Sequence, residues 1–493
     1  MQAQGARLSL RVWFFSVLAL FGVLWLSIPW VGGERAGLLE DDAYFYAQIA
    51  YNSQHVGRFS FDGLHATSGF HPLWMALLSA AAHGVSLFTQ DKTIHLAVYL
   101  TLWFVLVLAL AVRVGRSRLE RAVFFALALL TTPLMETALL SLLLVLAAER
   151  VLCAPRQGFD RALCGLAFLI PLTRIDMAPL LVLWLLLVRN ERAVLLSLGL
   201  GLGLGVLAHF TYLEAAFGHP YTVSSLLKTR SLTEGLLLFR ATGKSGILVR
   251  LLVLIVLVAW AAVTLRRLGR TSYRLALLGG APIAFTLGHV AVSQVRAWYF
   301  LPAYAFAFWA GTRGGSSSSL HSQFNSVSDG QAHREFRSGW LVVVLMATLL
   351  NLYKVYRFIP LDHVRQASWE FVLRGRHLLP PDARIYQVDG SGFPGYWLER
   401  QLVNGDGLVN TYEYARRLRA KKLAGYLGEN GICYLVTDAP VGDRQKYLVD
   451  LSGLRVKRSS AEEVLRSTAY GWSKNPNAHF ILWRLRDARC PSG

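Results

Sequence analysis

Charge is what this chain of 493 residues has least of: 16% of its side chains are charged, where a soluble domain carries about 25%. Cysteine is nearly absent, with four in all, and Cys153, Cys164, Cys433 and Cys490 form neither a CxxC pair nor a metal-ligand spacing. No GxSxG or HExxH run occurs, which removes the serine-hydrolase elbow and the zinc-protease helix. Acid is the scarcer sign, with 30 Asp and Glu against 50 Lys and Arg, a net charge of +20. What fills the space is apolar: 54% hydrophobic residues and a mean hydropathy of +0.40. Sparse, mostly basic charge does not suit a nucleic-acid binder, which needs a continuous basic stripe on a soluble body. The composition excludes a disordered chain and a soluble enzyme. It suits a multi-pass membrane protein whose short cytoplasmic loops are rich in arginine.

The charge is unevenly placed. Residues 360–493 hold 20 basic and 14 acidic side chains, leaving 30 and 16 for the much longer stretch before them. Apolar runs of membrane length stop near Phe358. A spanning helix needs ~20 apolar residues, and the first candidate, Trp13–Trp30, follows Arg7 and Arg11 without a small-residue cleavage site. It reads as a retained anchor with a cytoplasmic N-terminus. Further runs lie near 73–88, 94–112, 121–132, 134–152, 162–172, 177–188, 193–216, 246–265, 275–291, 297–311 and 339–358. The expected fold is an α-helical multi-pass membrane domain over 1–358 with about eleven spans. An extracytoplasmic α/β domain over 359–493 follows it. Arginine clusters such as Arg113/Arg116/Arg118/Arg121 and Arg266/Arg267/Arg270/Arg274 orient it. Consistent alternation then requires 73–88 to lie at the outer interface or enter only partly. The segment 312–338, with Ser316–Ser319 consecutive, reads as a flexible cytoplasmic linker. In the last part, Arg384–Val388, Tyr412–Leu427, Ile432–Thr437 and His479–Leu485 read as strand, helix, strand and strand. Cys433 and Cys490 share that part and can pair if it lies in an oxidising compartment.

In this orientation the unusual polar residues gather on the outer side. The first loop, 31–71, carries Glu34, Glu40, Asp41, Asp42 and Asp62 against Arg35 and Arg58. Adjacent carboxylates such as Asp41 and Asp42 resist joint ionisation in a partly dry site, and a carboxylate there can deprotonate a hydroxyl. The bland alternative is that Asp41 starts the helical segment Ala43–Tyr51 as a cap. His55, His65 and His71 with Asp41, Asp42 and Asp62 match no zinc template; a divalent metal is left open beside simple hydrogen bonding. Other outer turns add Glu136, Arg174 and Asp176. Lys228, Arg230 and Arg296 can hold a phosphate or snorkel to headgroups, and Trp298 with Tyr299 reads as an interfacial aromatic belt. Asp406 sits in Gly405-Asp406-Gly407, either facing a site or making a tight turn. Gly199, Gly201, Gly203 and Gly205 are not a dinucleotide fingerprint, because they lie inside an apolar run; they make two small-xxx-small packing faces.

The runs DDAYFYAQIA (Asp41–Ala50) and FDGLHATSGFHPLW (Phe61–Trp74) resemble bacterial membrane proteins of the GT-C glycosyltransferase superfamily, which includes protein O-mannosyltransferases and lipid A aminoarabinose transferases. Met135–Leu139, Leu172–Asp176, Phe217–Lys228, Arg296–Tyr299 and Val403–Asn410 fit the same resemblance. It implies an inverting glycosyltransferase in the bacterial plasma membrane. Such an enzyme takes a sugar from a polyprenyl-phosphate donor to a glycan, lipid or protein acceptor on the outer face. It implies an acidic base in the first loop, which maps onto Asp41 with Asp42 beside it. The candidate substrate-binding set is Tyr44, His71, Glu136, Arg174, Asp176, Lys228, Arg230, Arg296, Tyr299 and Asp406. Phosphate is a good leaving group, so the chemistry needs one base and cations rather than a strong acid. Two other classes compete with it. A transporter or flippase requires mid-membrane polar residues and pseudo-symmetric broken helices. A non-catalytic scaffold tolerates loss of both aspartates.

Overall fold

A computed structural model describes residues 39–115, 118–130, 134–153, 158–228, 362–437, 446–468, 470–472 and 475–486, with the isolated positions 278, 301, 302, 305, 306 and 309. The first half is helical: α1 Asp41–His55, α2 Pro72–Ser86, α3 Lys92–Val114, α4 Arg118–Leu130, α5 Thr137–Cys153, α6 Arg161–Thr173, α7 Ala178–Leu187, α8 Arg192–Phe217 and α9 Val223–Lys228. Local chemistry sets several starts. Pro72 occupies the first turn of α2, where its missing N–H costs nothing. Asp91 caps α3 by accepting from Thr93 N at 2.7 Å, and Asp160 caps α6 by accepting from Leu163 N at 3.0 Å. Gly218, at φ 71°, ends α8 in the left-handed conformation.

The expectation of an α-helical bundle of about eleven spans is overturned. Among the described residues, two helices are long and apolar enough to cross a membrane, α3 with 23 residues and α8 with 26. The reason is length. The runs near 121–132, 162–172 and 177–188 fold into helices of 13, 13 and 10 residues, short of the ~20 a bilayer needs. The run near 73–88 becomes α2, with 15 residues. These helices each place apolar side chains in the shared core, while Val182, Leu183 and Leu186 of α7 stay exposed. Trp13–Trp30, the linker 312–338 and nearly all of the runs beyond residue 245 fall outside the described residues.

The chain from 362 is mixed: α10 Asp362–Leu378, β1 Arg384–Gln387, α11 Gly392–Trp397, β2 Gln401–Asn404, α12 Tyr412–Arg419, α13 Tyr426–Glu429, β3 Tyr434–Thr437, β4 Tyr447–Leu451, β5 Leu454–Lys457, β6 Ala461–Arg466, β7 Tyr470–Trp472, β8 Asn475–Ala478 and β9 Ile481–Leu485. The main sheet runs β2-β1-β3-β9-β6. Strand β1 is parallel to β2 and to β3, while β9 is antiparallel to β3 and β6. Of these elements, α10, β2, α11 and β4 to β8 were not anticipated from sequence. The segment expected as one helix over Tyr412–Leu427 breaks at Ala420–Gly425 into α12 and α13.

Alternation along the strands sends side chains to two cores. Ile385, Leu402, Val436 and Leu482 join the core that also holds α1–α8, whereas Tyr386, Val403, Leu435 and Trp483 pack in a second cluster with Tyr414, Tyr426 and Leu427. The sheet is covered on both faces, as parallel strands require. Because one of its faces shares a core with α1, the C-terminal unit is packed onto the helical half.

Small residues make the closest helix contact, between α6 and α8. A Cβ on Gly201 would lie 2.2 Å from Cys164 O, and one on Gly205 would lie 2.4 Å from Phe168 O. Gly203 has open space, and Gly199 meets only Leu185 Cδ2 at 3.7 Å. Of the two small-residue faces expected on this helix, one makes the contact. The opposite side is a stripe of exposed Leu196, Leu200, Leu204 and Leu207.

Candidate functional site

Helix α1 begins with both aspartates and is buried from Ala43 through Ala50. Acids in its first turn suit the positive end of the helix. Above that turn sits the carboxyl edge of the parallel strands. Strand β1 leads to Asp389, and its parallel neighbour β2 leads to Asp406.

Asp41 is tied directly across this junction. Its Oδ1 accepts from Gly392 N at 2.6 Å and from Phe393 N at 3.1 Å. The approach is so close that a Cβ on Gly392 would lie 2.2 Å from Asp41 O. Burial pushes the Asp41 carboxyl well above the ordinary range, with Asp42, Asp406 and Asp389 adding to it and the Phe393 amide opposing. Asp406 is pushed up to about 7, chiefly by burial, with Asp389 and Asp42 contributing. Four carboxyls therefore lie within electrostatic reach of one another, and Asp389 is the member not expected from sequence. Its only signal was its place just after a strand end.

Asp406 does two things at once. Its Oδ1 accepts from Leu408 N at 2.8 Å, which closes the turn, and its charge is felt at Asp41. The neighbouring amides are structural: Asn404 donates to Ser391 Oγ at 2.7 Å, and Asn410 donates to Asn404 O at 2.8 Å. The first loop is fastened to the same turn, because Thr67 Oγ1 donates to Asn410 O at 2.9 Å.

Glu136, Arg174, Asp176 and His71 come together below α1. Arg174 donates to Glu136 Oε1 at 3.0 Å and to both oxygens of Asp176 at 3.0 and 2.5 Å. Tyr46 donates to Glu136 Oε2 at 3.1 Å, and His71 Nε2 lies 3.5 Å from Glu136 Oε1. Burial and the Glu136 charge raise the Tyr46 hydroxyl, Arg174 opposes, and Asp42 adds a smaller push. Asp42 is thus electrically within reach of this network.

Other expected site residues go elsewhere. Tyr44 is fully buried and packs edge-on against Phe393 at 5.4 Å, so it contributes to docking. Lys228 ends α9; Arg230, Arg296 and Tyr299 lie outside the described residues. The histidines separate as well. His65 Nδ1 pairs with Asp62 Oδ2 at 2.7 Å, and His55 Nδ1 lies 2.8 Å from Tyr51 O. Among the described residues no group of three His, Cys, Asp or Glu side chains fits a metal ion, so no step here is routed through one. Cys433 is disulfide-bonded; Cys490 lies outside the described residues. No protein-family model matches the chain, and no curated protein matches it.

Proposed function

We propose that the chain is a membrane-attached inverting glycosyltransferase that moves a sugar from a polyprenyl-phosphate donor to an acceptor hydroxyl outside the cytoplasm. The observation that carries the reading is the Asp41–Asp42 pair, held at the start of a buried helix and electrostatically coupled to Asp389 and Asp406 at the ends of two parallel strands. One carboxylate of the pair takes the acceptor proton. The acceptor oxygen then bonds to the anomeric carbon while the bond from that carbon to the phosphate oxygen breaks. Polyprenyl phosphate leaves with both electrons. The resemblance of Asp41–Ala50 and Phe61–Trp74 to the GT-C superfamily supports this chemistry.

Three further features favour it. Arg174 is engaged by Glu136 and Asp176, so countercharge for the departing phosphate falls to Lys228, Arg230 and Arg296. Exposed apolar side chains on α3, α7 and α8, including Val105, Val112, Leu186 and the α8 leucines, suit a lipid tail or bilayer rather than water. The Cys433 disulfide suits an oxidising compartment, which supports a plasma-membrane location with the C-terminal unit outside the cytoplasm. The acceptor is a glycan, a lipid or a protein hydroxyl.

The test is full-length protein in lipid nanodiscs with a panel of radiolabelled polyprenyl-phosphate sugars. Wild type is expected to release polyprenyl phosphate, and the Asp41→Asn/Asp42→Asn double variant to lose ~10²–10⁴-fold of the rate. Full transfer by the double variant overturns the site. Movement of intact lipid-linked sugar across vesicles, without transfer from any donor, replaces the reading with transport.

A further inference from the structure

The two aspartates are neighbours in the chain, but an α-helix turns ~100° per residue and sets them on different faces. Asp41, Tyr44 and Gln48 are spaced i, i+3, i+7, so they form one face of α1, and that face meets α11. Asp41 holds the Gly392 and Phe393 amides at 2.6 and 3.1 Å. Tyr44 sits against Phe393 and Tyr396 at 5.4 and 5.8 Å. Gln48 accepts from Lys92 Nζ at 3.0 Å; the same ammonium donates to Tyr396 O at 2.6 Å, and Tyr396 Oη donates back to Lys92 O at 2.6 Å. Asp42 and Tyr46 are spaced i, i+4 on a different face, which meets Glu136 and, through it, Arg174 and Asp176.

We propose that the pair is divided in labour: Asp41 is a positioning residue that latches α11 and the C-terminal unit onto the first loop, and Asp42 is the group that accepts the substrate proton. The second half rests on the transferase reading; the first stands on the contacts alone. Both amides are bound by one oxygen of Asp41, which commits that oxygen to the latch. Burial and three neighbouring acids also favour the neutral form of this carboxyl, in which it accepts no further proton. Asp42 carries no such latch bond among the described residues.

The latch is read by hydrogen exchange at the amides of 389–397 in the full-length protein, and the base by transfer rate. An asparagine at position 41 retains the accepting carbonyl, whereas alanine removes it. Asp41→Ala is expected to speed exchange of these amides about tenfold and to depress transfer. Asp41→Asn is expected to restore both relative to the alanine variant. Asp42→Asn is expected to leave exchange at the wild-type rate while transfer falls ~10²–10⁴-fold. Should Asp41→Ala fail to fold, Gly392→Ala supplies the second route: its Cβ forces the helix away from Asp41 O and is expected to raise exchange in the same segment alone.

Unchanged exchange in Asp41→Ala or in Gly392→Ala overturns the latch. A loss of transfer in Asp41→Asn as deep as in Asp42→Asn, with exchange at the wild-type rate, makes Asp41 the base and overturns the division. Wild-type protein inactive on every donor sinks the transferase reading and with it the role of Asp42, while the exchange comparison still decides the latch.

Discussion

Arg174 is a buried cation between two carboxylates, with its side chain 6% exposed and that of Glu136 1% exposed. Its sequence reading, an ionisable residue of an outer turn beside Asp176, placed it in the candidate substrate-binding set. The geometry gives it a different task, because a guanidinium forked onto Asp176 and bonded to Glu136 has committed its donors. Removing one partner of a buried pair leaves an uncompensated charge. Arg174→Ala is therefore expected to destabilise the protein by about 3–5 kcal/mol, measured by chemical denaturation. A variant within 0.5 kcal/mol or so of wild type, the range of an ordinary surface change, contradicts the buried pairing.

Helix α8 offers a comparison at the level of one element. Gly201 lies where α6 and α8 touch backbone to backbone, and Gly203, one step round the helix, faces open space. Gly201→Ala is expected to cost about 1–3 kcal/mol as the helices are forced apart. Gly203→Ala is expected to gain up to ~1 kcal/mol, because alanine is the better helix former. Thermal denaturation of the two variants in the same detergent checks both signs. Equal shifts show that the contact face is misassigned. The sequence marked all four glycines as packing residues, but a repeat at every second position cannot say which face finds a partner.

The docking of the whole C-terminal unit is coupled to pH through the carboxyls that face one another across the junction. Asp41 and Asp42 come from α1, Asp389 from the end of β1, and Asp406 from the turn after β2, where the Leu408 amide faces it. Asp406 stands at about 7 in the folded protein, against about 3.9 for a free aspartate. A carboxyl raised in the folded state gives its full contribution below the free value and loses it as pH rises through the folded value. The melting temperature is therefore expected to fall between about pH 4 and 7. Asp406→Asn, which cannot ionise, is expected to flatten that slope. A slope unchanged by the substitution removes Asp406 from the coupling.

By itself the sequence determined the quantities that depend on nearest neighbours and composition. The apolar bias, the break in charge density near residue 360, the strands at Arg384–Gln387 and Tyr434–Thr437, and the acid-rich first loop were all legible. Only the tertiary structure decided which of the described apolar runs form helices long enough to cross a membrane and which form shorter ones. A run of 13 residues has the same hydropathy in either setting, and its helix length and neighbours make the difference. Tertiary structure alone also brought Asp389 and Asp406 over Asp41 across more than 340 positions of chain. It turned Glu136, Arg174 and Asp176 toward one another. It also tied Asp41 of the adjacent pair to the Gly392 and Phe393 amides. Contacts of that sequence separation leave no local pattern, because they follow from how helices and sheet pack rather than from what stands next in the chain.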